Sequence, residues 1–266
     1  MKLEKLIGGS SEFNEQTIEE MLRRSRPRID HALKAMRRPE VAVGVVNSPL
    51  GALLVALGGR GILLIHYLGG ADDLESAIAK LRLAVDPVED RSKIKAVGAE
   101  IGRYLAGDAD ALRRDADLTL APSPFQKKVL YKLQQVPRGA VVSYQALGAA
   151  AGAPKGARAV GNALHNNPVP IYVPCHRVIA SDGGLGGYGG GIARKLKLLR
   201  SEGFALSKAD ERLPDSVVWG HTGTKVFCRS TCHTTARVDR TKIVFFADPE
   251  EAKQAGLRPC KICRPG

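Results

Sequence analysis

The sequence predicts an α+β chain laid out in successive blocks, and three observations carry that expectation. Residues 41–67 hold three Val/Leu/Ile-rich runs cut by glycine and proline, residues 124–165 hold three short helical patterns, and four of the five cysteines fall in two close pairs near the C-terminal end. With 266 residues, 44% of them hydrophobic and 25% charged, the chain can bury a real core, which excludes wholesale disorder.

Residues 1–40 read as a helical extension. A helix over 11–38 is expected from Ser11 as N-cap, acidic residues early (Glu12, Glu15, Glu19, Glu20), basic ones late and an interruption at Pro27. No chemistry is legible there. Runs 41–46, 51–57 and 61–67, separated by Pro49-Leu50-Gly51 and Gly58-Gly59-Arg60-Gly61, read as a meander of strands. The uncharged stretch Val41–Gly59 approaches membrane-spanning length. Asn47-Ser48-Pro49 and Gly51 break it into a hairpin, so no membrane partner is expected. Amphipathic helices near 73–84 and 92–105 follow, and the unit ends between Gly107 and Pro122. No apolar run follows Met1, so a cytoplasmic location is expected.

The second block is built differently. Phe125, Val129, Leu130 and Leu133 give a helix over 124–135, and Ser143 caps another over 144–151. Gly152-Ala153-Pro154 then breaks the chain before a third helix at 156–165. Two short helices joined by a tight glycine-containing turn form a helix-turn-helix pattern. In the third helix Gly156, Ala157, Ala159, Gly161 and Ala163 leave a nearly flat surface, Arg158 is the charge of its first two turns, and Val160 and Leu164 anchor it. Such a surface fits either close packing in a core or close approach of a backbone to DNA. After Asn166-Asn167-Pro168, Val169–Val173 reads as a strand leading into Pro174-Cys175-His176-Arg177-Val178. A loop with seven glycines in ten residues, Asp182–Gly191, follows, then a helix from 192 to about 202. Residues 204–222 read as a polar linker.

The charge is uneven. Of the formal +13, residues 121–220 carry 13 basic and 5 acidic side chains and residues 221–266 carry 9 and 4. That bias suits a polyanionic partner or a solvated basic face.

Cys228-x3-Cys232 and Cys260-x2-Cys263 have the spacing of a structural four-cysteine zinc site, and a segment of that size needs a metal to hold a core. Without a secretory signal a disulfide framework explains them less well. A nucleobase deaminase would need an upstream His-x-Glu, which the sequence lacks. Cys175 stands alone. A lone Cys in an apolar stretch is usually a small buried hydrophobe. Here Pro170 and Pro174 stiffen its approach, His176 adjoins it and a glycine-rich loop follows, the setting of a nucleophilic thiolate. On an extended segment His176 would point away from the sulfur and act through a bridging water.

At these residues the chain resembles the O6-alkylguanine-DNA alkyltransferase family. The resemblance rests on Pro174-Cys175-His176-Arg177-Val178, Ser143-Tyr144, Arg158-Ala159-Val160-Gly161, Asn167-Pro168, Gly187-Tyr188-Gly189-Gly190 and Leu198-Leu199-Arg200-Ser201-Glu202. It implies an RNase H-like sheet domain over 41–120 and a winged-helix-like DNA-binding and catalytic domain over 121–205, followed by a linker at 206–222. It also implies irreversible, single-turnover transfer of an alkyl group from O6-alkylguanine, and from O4-alkylthymine, in duplex DNA to Cys175. His176 and Glu202 form the proton relay, Tyr144 turns the nucleotide out, Arg158 fills the gap and Asn167 is the hinge. Carbonyls of Cys175 and Val178, the Gly189 amide and Tyr188 surround the base, and Ser143, Ala157, Ala159 and Gly161 join Tyr144 and Arg158 against DNA. No dissociable methyl donor is needed, and a monomer associated with the nucleoid is expected.

Residues 223–266 are similar to the zinc domain of the bacterial Ada regulator, through Val226–Cys232, Val244-Phe245-Phe246 and Ala255–Cys263. That implies a structural Zn2+ on Cys228, Cys232, Cys260 and Cys263, DNA binding, and Cys228 as a possible acceptor from methylphosphotriesters. Two alternative readings are a non-catalytic binder of alkylated DNA and a transcriptional regulator. The first would lack a nucleophile at position 175, and the second would need base-reading side chains that the Ala/Gly helix does not carry.

Overall fold

The computed structural model describes residues 16, 19, 20, 23–27, 38–206, 212, 213, 217–229, 232, 239 and 242–265. Most of the helix expected over 11–38 lies outside them; those described between 16 and 27 are helical. Residues 1–39 and 40–266 form two separate units.

Strands β1 (Glu40–Ser48), β2 (Gly51–Gly58) and β3 (Gly61–Tyr67) form the expected antiparallel meander. Helix α1 (Ala71–Leu81) follows. The chain then returns as a strand that the sequence reading missed, β4 (Asp86–Glu89), parallel to β1, so the sheet order is β3-β2-β1-β4. Four residues including Asp86, Pro87 and Glu89 lack the apolar run that marks a strand, and register with β1 decides the matter. Helix α2 (Arg91–Leu105), capped by Asp90, packs on one face: Ile94 lies against Gly44, and a Cβ on Gly98 would come within 3.0 Å of Val46. Val41, Val43, Ala56 and Leu63 pack with Leu81 and Val85 in a separate cluster.

The helical block matches its pattern closely. Ser123 caps α3 (Pro124–Leu133), and β5 (Ala140–Ser143) leads directly into α4 (Tyr144–Ala150). Gly152, at φ +85°, turns the chain toward α5 (Ala157–His165). A Cβ on Gly148 would meet the Ala153 carbonyl at 2.8 Å, so the turn joining the two helices passes too close to α4 for any other residue there. Ala163 turns inward with Val160 and Leu164 and is not part of the flat surface.

Two expectations fail. Val169–Val173 is not a strand: Val173 N–H bonds back to the Val169 carbonyl at 2.9 Å and buried Ile171 sits at φ +78°. A β-branched residue there costs on the order of 1–3 kcal/mol, and the flanking prolines together with Asn167 hold it. Nor is 204–222 wholly a linker. Within it Val218–His221 forms a buried strand, β7. Residues 207–211 and 214–216 of that segment lie outside the described ones.

β7 begins the cysteine module, with β8 (Val226–Arg229), β9 (Ile243–Phe246), α7 (Pro249–Gln254) and β10 (Arg258–Pro259). Its sheet does not end with the module. β9 pairs antiparallel with β5, Val141 opposite Phe245, and β5 pairs in parallel with β6 (Val178–Ile179). A single sheet of order β10-β8-β7-β9-β5-β6 results. Helix α6 (Ile192–Ser201) packs through Leu196 and Leu199 in a cluster with Val141, Val217 and Phe245.

Candidate active site and metal centre

Cys175, His176 and Arg177 form one 3-10 turn between Pro174 and β6, so the segment is not extended. Cys175 faces a cavity while His176 turns into the core with no exposure. The His176 ring meets Glu202, which follows α6, with Nε2 2.6 Å from Oε1. His176 Nδ1 has no hydrogen-bond partner among the described residues. Burial holds the His176 pKa below its usual value despite the carboxylate beside it, so the neutral ring donates Nε2–H to Glu202 and keeps Nδ1 as a base.

Glu202 is 3% exposed and fully engaged. Arg177 donates to it from Nε at 2.9 Å and from its second terminal nitrogen at 3.0 Å, and the Tyr104 hydroxyl donates to Oε1. Burial alone would raise this carboxyl; His176 and Arg177 outweigh it and hold the pKa at about 2. The sign of the pH dependence follows. A carboxylate depressed from about 4.5 contributes stability that is complete above its unfolded value and is lost as pH falls toward about 2. Buried neutral His176 acts in the same direction below its usual value of 6.5. Glu202→Gln is expected to destabilise the protein by about 3–5 kcal/mol at neutral pH, because it strands the Arg177 guanidinium. The variant should also lose the share of acid sensitivity between about pH 4.5 and 2 that Glu202 contributes, leaving that of other depressed carboxylates such as Asp90, as urea titrations across pH would show.

Around the thiol, Asn167 Nδ2 donates to Cys175 Sγ at 3.1 Å and to the Val173 carbonyl at 2.9 Å, while its Oδ1 accepts from Val169 N–H. Burial pushes the Cys175 thiol up; the Asn167 amide, the Lys195 charge and the Tyr188 hydroxyl oppose it. Lys195 is buried with its ammonium on the carbonyls of Val178 (2.6 Å), Leu185 and Gly187, and desolvation brings its pKa down to about 8.

Two cavities meet at Cys175 and share Leu164, His165, Tyr188 and Gly189. One, of about 300 Å3, adds Tyr144 and Gly161; the other, of about 220 Å3, adds Ile65, Tyr67 and Pro170. A shallow groove beside them, about 530 Å3, runs along Tyr144, Lys155, Ala157, Arg158 and Gly161. Arg158 and Ala159 are exposed, and a Cβ on Gly161 would meet open space, so this face of α5 is flat and accessible. The expected set is brought together with two differences. Ser143 is 1% exposed and its hydroxyl is spent capping α4, which removes it from the outer face. Val178 is fully buried, with its carbonyl already bonded to Lys195.

Sequence reasoning missed Tyr104, Arg177, Lys195 and Tyr67 as parts of this centre. Lys195 left a signal, since it falls three and four residues before Leu198 and Leu199 on the apolar stripe of α6. Tyr104 and Tyr67 lie at the ends of α2 and β3, and no local pattern connects them to Cys175.

In the C-terminal module, sulfurs of Cys228, Cys232, Cys260 and Cys263 all lie within 4.8 Å of one another. Zn–S bonds of about 2.3 Å in a tetrahedron place sulfurs a little under 4 Å apart, so the quartet fits zinc. Backbone N–H groups of Cys263 and Ile262 hold the Cys260 thiol at about 7, favouring the ligating thiolate. Among the described residues no helix is long and apolar enough to cross a membrane.

Two family models match the chain: the DNA-binding domain of 6-O-methylguanine DNA methyltransferase over residues 124–204, and the metal-binding domain of Ada over 204–266. The methylated-DNA-protein-cysteine methyltransferase of Methanosarcina barkeri is 33% identical over 160 residues, covering 59% of this chain and 94% of that protein. The human protein of the same name is 55% identical over 85 residues, 32% of this chain and 41% of that protein. The crystal structure of Mycobacterium tuberculosis OGT in complex with DNA superposes with a TM-score of 0.50 at 33% identity, over 61% of this chain and 92% of that one.

Proposed function

The chain belongs to the methylated-DNA-protein-cysteine methyltransferase family, and from that premise we propose that it repairs DNA by direct reversal, taking an alkyl group from O6-alkylguanine onto Cys175. The observation that carries the reading is the placement of Cys175. Its thiol lies where two cavities meet beside the flat face of α5, with the His176–Glu202 pair behind it.

The guanine, flipped from the duplex past Tyr144 while Arg158 fills its place, enters the cavity bounded by Tyr144 and Gly161. His176 Nδ1 draws the thiol proton through a bridging water, and Glu202 orients the ring and balances its charge. The Cys175 sulfur attacks the alkyl carbon in line, the carbon–O6 bond breaks with its electron pair on oxygen, and guanine regains a proton at N1. The Gly189 amide supports O6, and the Cys175 carbonyl accepts from the exocyclic amine; the Val178 carbonyl, buried and held by Lys195, takes no part. O4-alkylthymine follows the same route. The thioether has no return path, so the protein acts once, as a monomer, and requires no dissociable methyl donor. Further proposals are an RNase H-like domain over 41–120, a winged-helix-like domain over 121–205 and location at the nucleoid. Two duplexes test the reading, one carrying O6-methylguanine and one carrying guanine. Intact mass should rise by one methylene with the first alone, and peptide mapping should place it on Cys175; an unchanged mass overturns the proposal.

The cysteine module is proposed to hold zinc and to grip DNA with its excess of basic residues. Cys228 is only 2% exposed, which favours a ligand's role over that of a second acceptor. A duplex carrying a methylphosphotriester should therefore bind and leave Cys228 unmodified. Methylation of Cys228 alone, mapped by mass spectrometry, would restore the acceptor role.

A further inference from the structure

Of the two cavities at Cys175, the one that Tyr144 does not line is walled by the first sheet. Tyr67, the last residue of β3, lines it together with Ile65 and Pro170. Three contacts fix the Tyr67 ring. Its hydroxyl lies 2.8 Å from that of Tyr188, the Arg194 guanidinium stacks over its face at 4.7 Å, and its edge abuts Gly190, where a Cβ would come within 2.7 Å of it. Arg194 is itself tied to the carbonyls of Leu50 (2.6 Å) and Gly190 (2.7 Å). The ring is thus a rigid wall, clamped between the β2–β3 sheet and the glycine-rich loop. The segment carrying Asn167 is anchored to the same strand, through Ile65 N–H on the Pro168 carbonyl at 2.8 Å.

Resting on the functional reading above, we propose that Tyr67 determines which alkyl groups the protein accepts. The guanine ring occupies the cavity next to Tyr144 and Gly161, which brings the alkyl carbon to the sulfur where the two cavities join. A methyl group ends there. Any longer chain must extend from that carbon into the space of about 220 Å3 bounded by Tyr67, so the phenol ring meets its tail. The chemical step is unchanged by chain length: the sulfur–carbon bond forms, the carbon–O6 bond breaks and its electron pair leaves on oxygen. Only the fit of the spectator carbons differs.

The test compares transfer rates from O6-methylguanine and O6-butylguanine duplexes, followed by the mass of Cys175 peptides, for the wild type and three variants. Tyr67→Leu opens the wall and should raise the butyl-to-methyl rate ratio by about 10-fold or more, the lower reach of even one methylene in an apolar pocket. Tyr67→Trp narrows it and should lower the ratio, which keeps the test decisive if the leucine variant does not fold. Tyr67→Phe removes the hydroxyl contact to Tyr188 but keeps the ring, and should leave the ratio near the wild-type value. If the two rates move together in Tyr67→Leu and Tyr67→Trp, the ring is merely structural and the inference fails. It fails equally if Tyr67→Phe shifts the ratio as far as leucine does, since the hydroxyl and not the wall would then be responsible. A wild type that accepts neither alkyl group overturns the functional reading instead.

Discussion

Cys175→Ala is expected to abolish alkyl transfer while leaving a folded protein that still binds duplex DNA. Cys175 is both reagent and acceptor, so its loss leaves no slower route, and no product should appear at any protein excess. The fold should tolerate the change. Asn167 keeps its bond to the Val173 carbonyl and accepts from Val169 N–H after the sulfur is gone, and the 3-10 turn is held by Arg177 N–H on the Pro174 carbonyl at 2.9 Å. Serine is expected to be as inactive as alanine. Burial already pushes the thiol up, and a hydroxyl starts from a far higher pKa, beyond what Asn167, Lys195 and Tyr188 could offset. The measurement pairs intact mass after incubation with O6-methylguanine duplex and a binding titration on the same DNA. A mass gain in Cys175→Ala would place the acceptor elsewhere.

How legible this centre was depended on whether its parts are local in sequence. The meander, the helices around Gly152 and the Ser143 cap follow from periodicity and breakers within a few residues, and the structure places them within two or so residues of the expectation. The Cys175–His176–Glu202 row needed a family likeness, because nothing in residues 175–202 by itself says that Glu202 returns to His176. The Glu202 partners supplied from α2 and from the 3-10 turn, Tyr104 and Arg177, could be seen only in three dimensions. Val169–Val173 misled for an instructive reason. Five apolar residues, one of them a proline, score as a strand, but Asn167 and the left-handed Ile171 bend them into the turn that presents Cys175. The segment around Trp219 misled in the opposite way: polar flanks hid a strand of four buried residues.

That hidden strand changes what metal removal should do. Were the cysteine module tethered by a free linker, stripping zinc would unfold residues 218–265 and leave the catalytic block as stable as before. The structure has β9 paired with β5, and Val217 and Phe245 packed with Val141, Leu196 and Leu199. β5 would otherwise keep only the two-residue β6 as partner, and it leads straight into Ser143 and Tyr144. Structural zinc supplies roughly 10–16 kcal/mol of folding free energy to small cysteine modules, so chelation should melt the module outright. Each large apolar side chain withdrawn from the catalytic block then costs about 1.5–3 kcal/mol. The expected result is a fall of at least several degrees in the melting temperature of the catalytic block. Amide exchange in residues 140–143 should quicken with that in 243–246, and slower transfer to Cys175 should follow from the loosened Tyr144. Cys260→Ala, which removes one ligand, should reproduce the pattern without a chelator. If exchange rises in 243–246 while 140–143 and the melting temperature stay unchanged, the shared sheet contributes nothing to the catalytic block, and its contact with the module is incidental to activity.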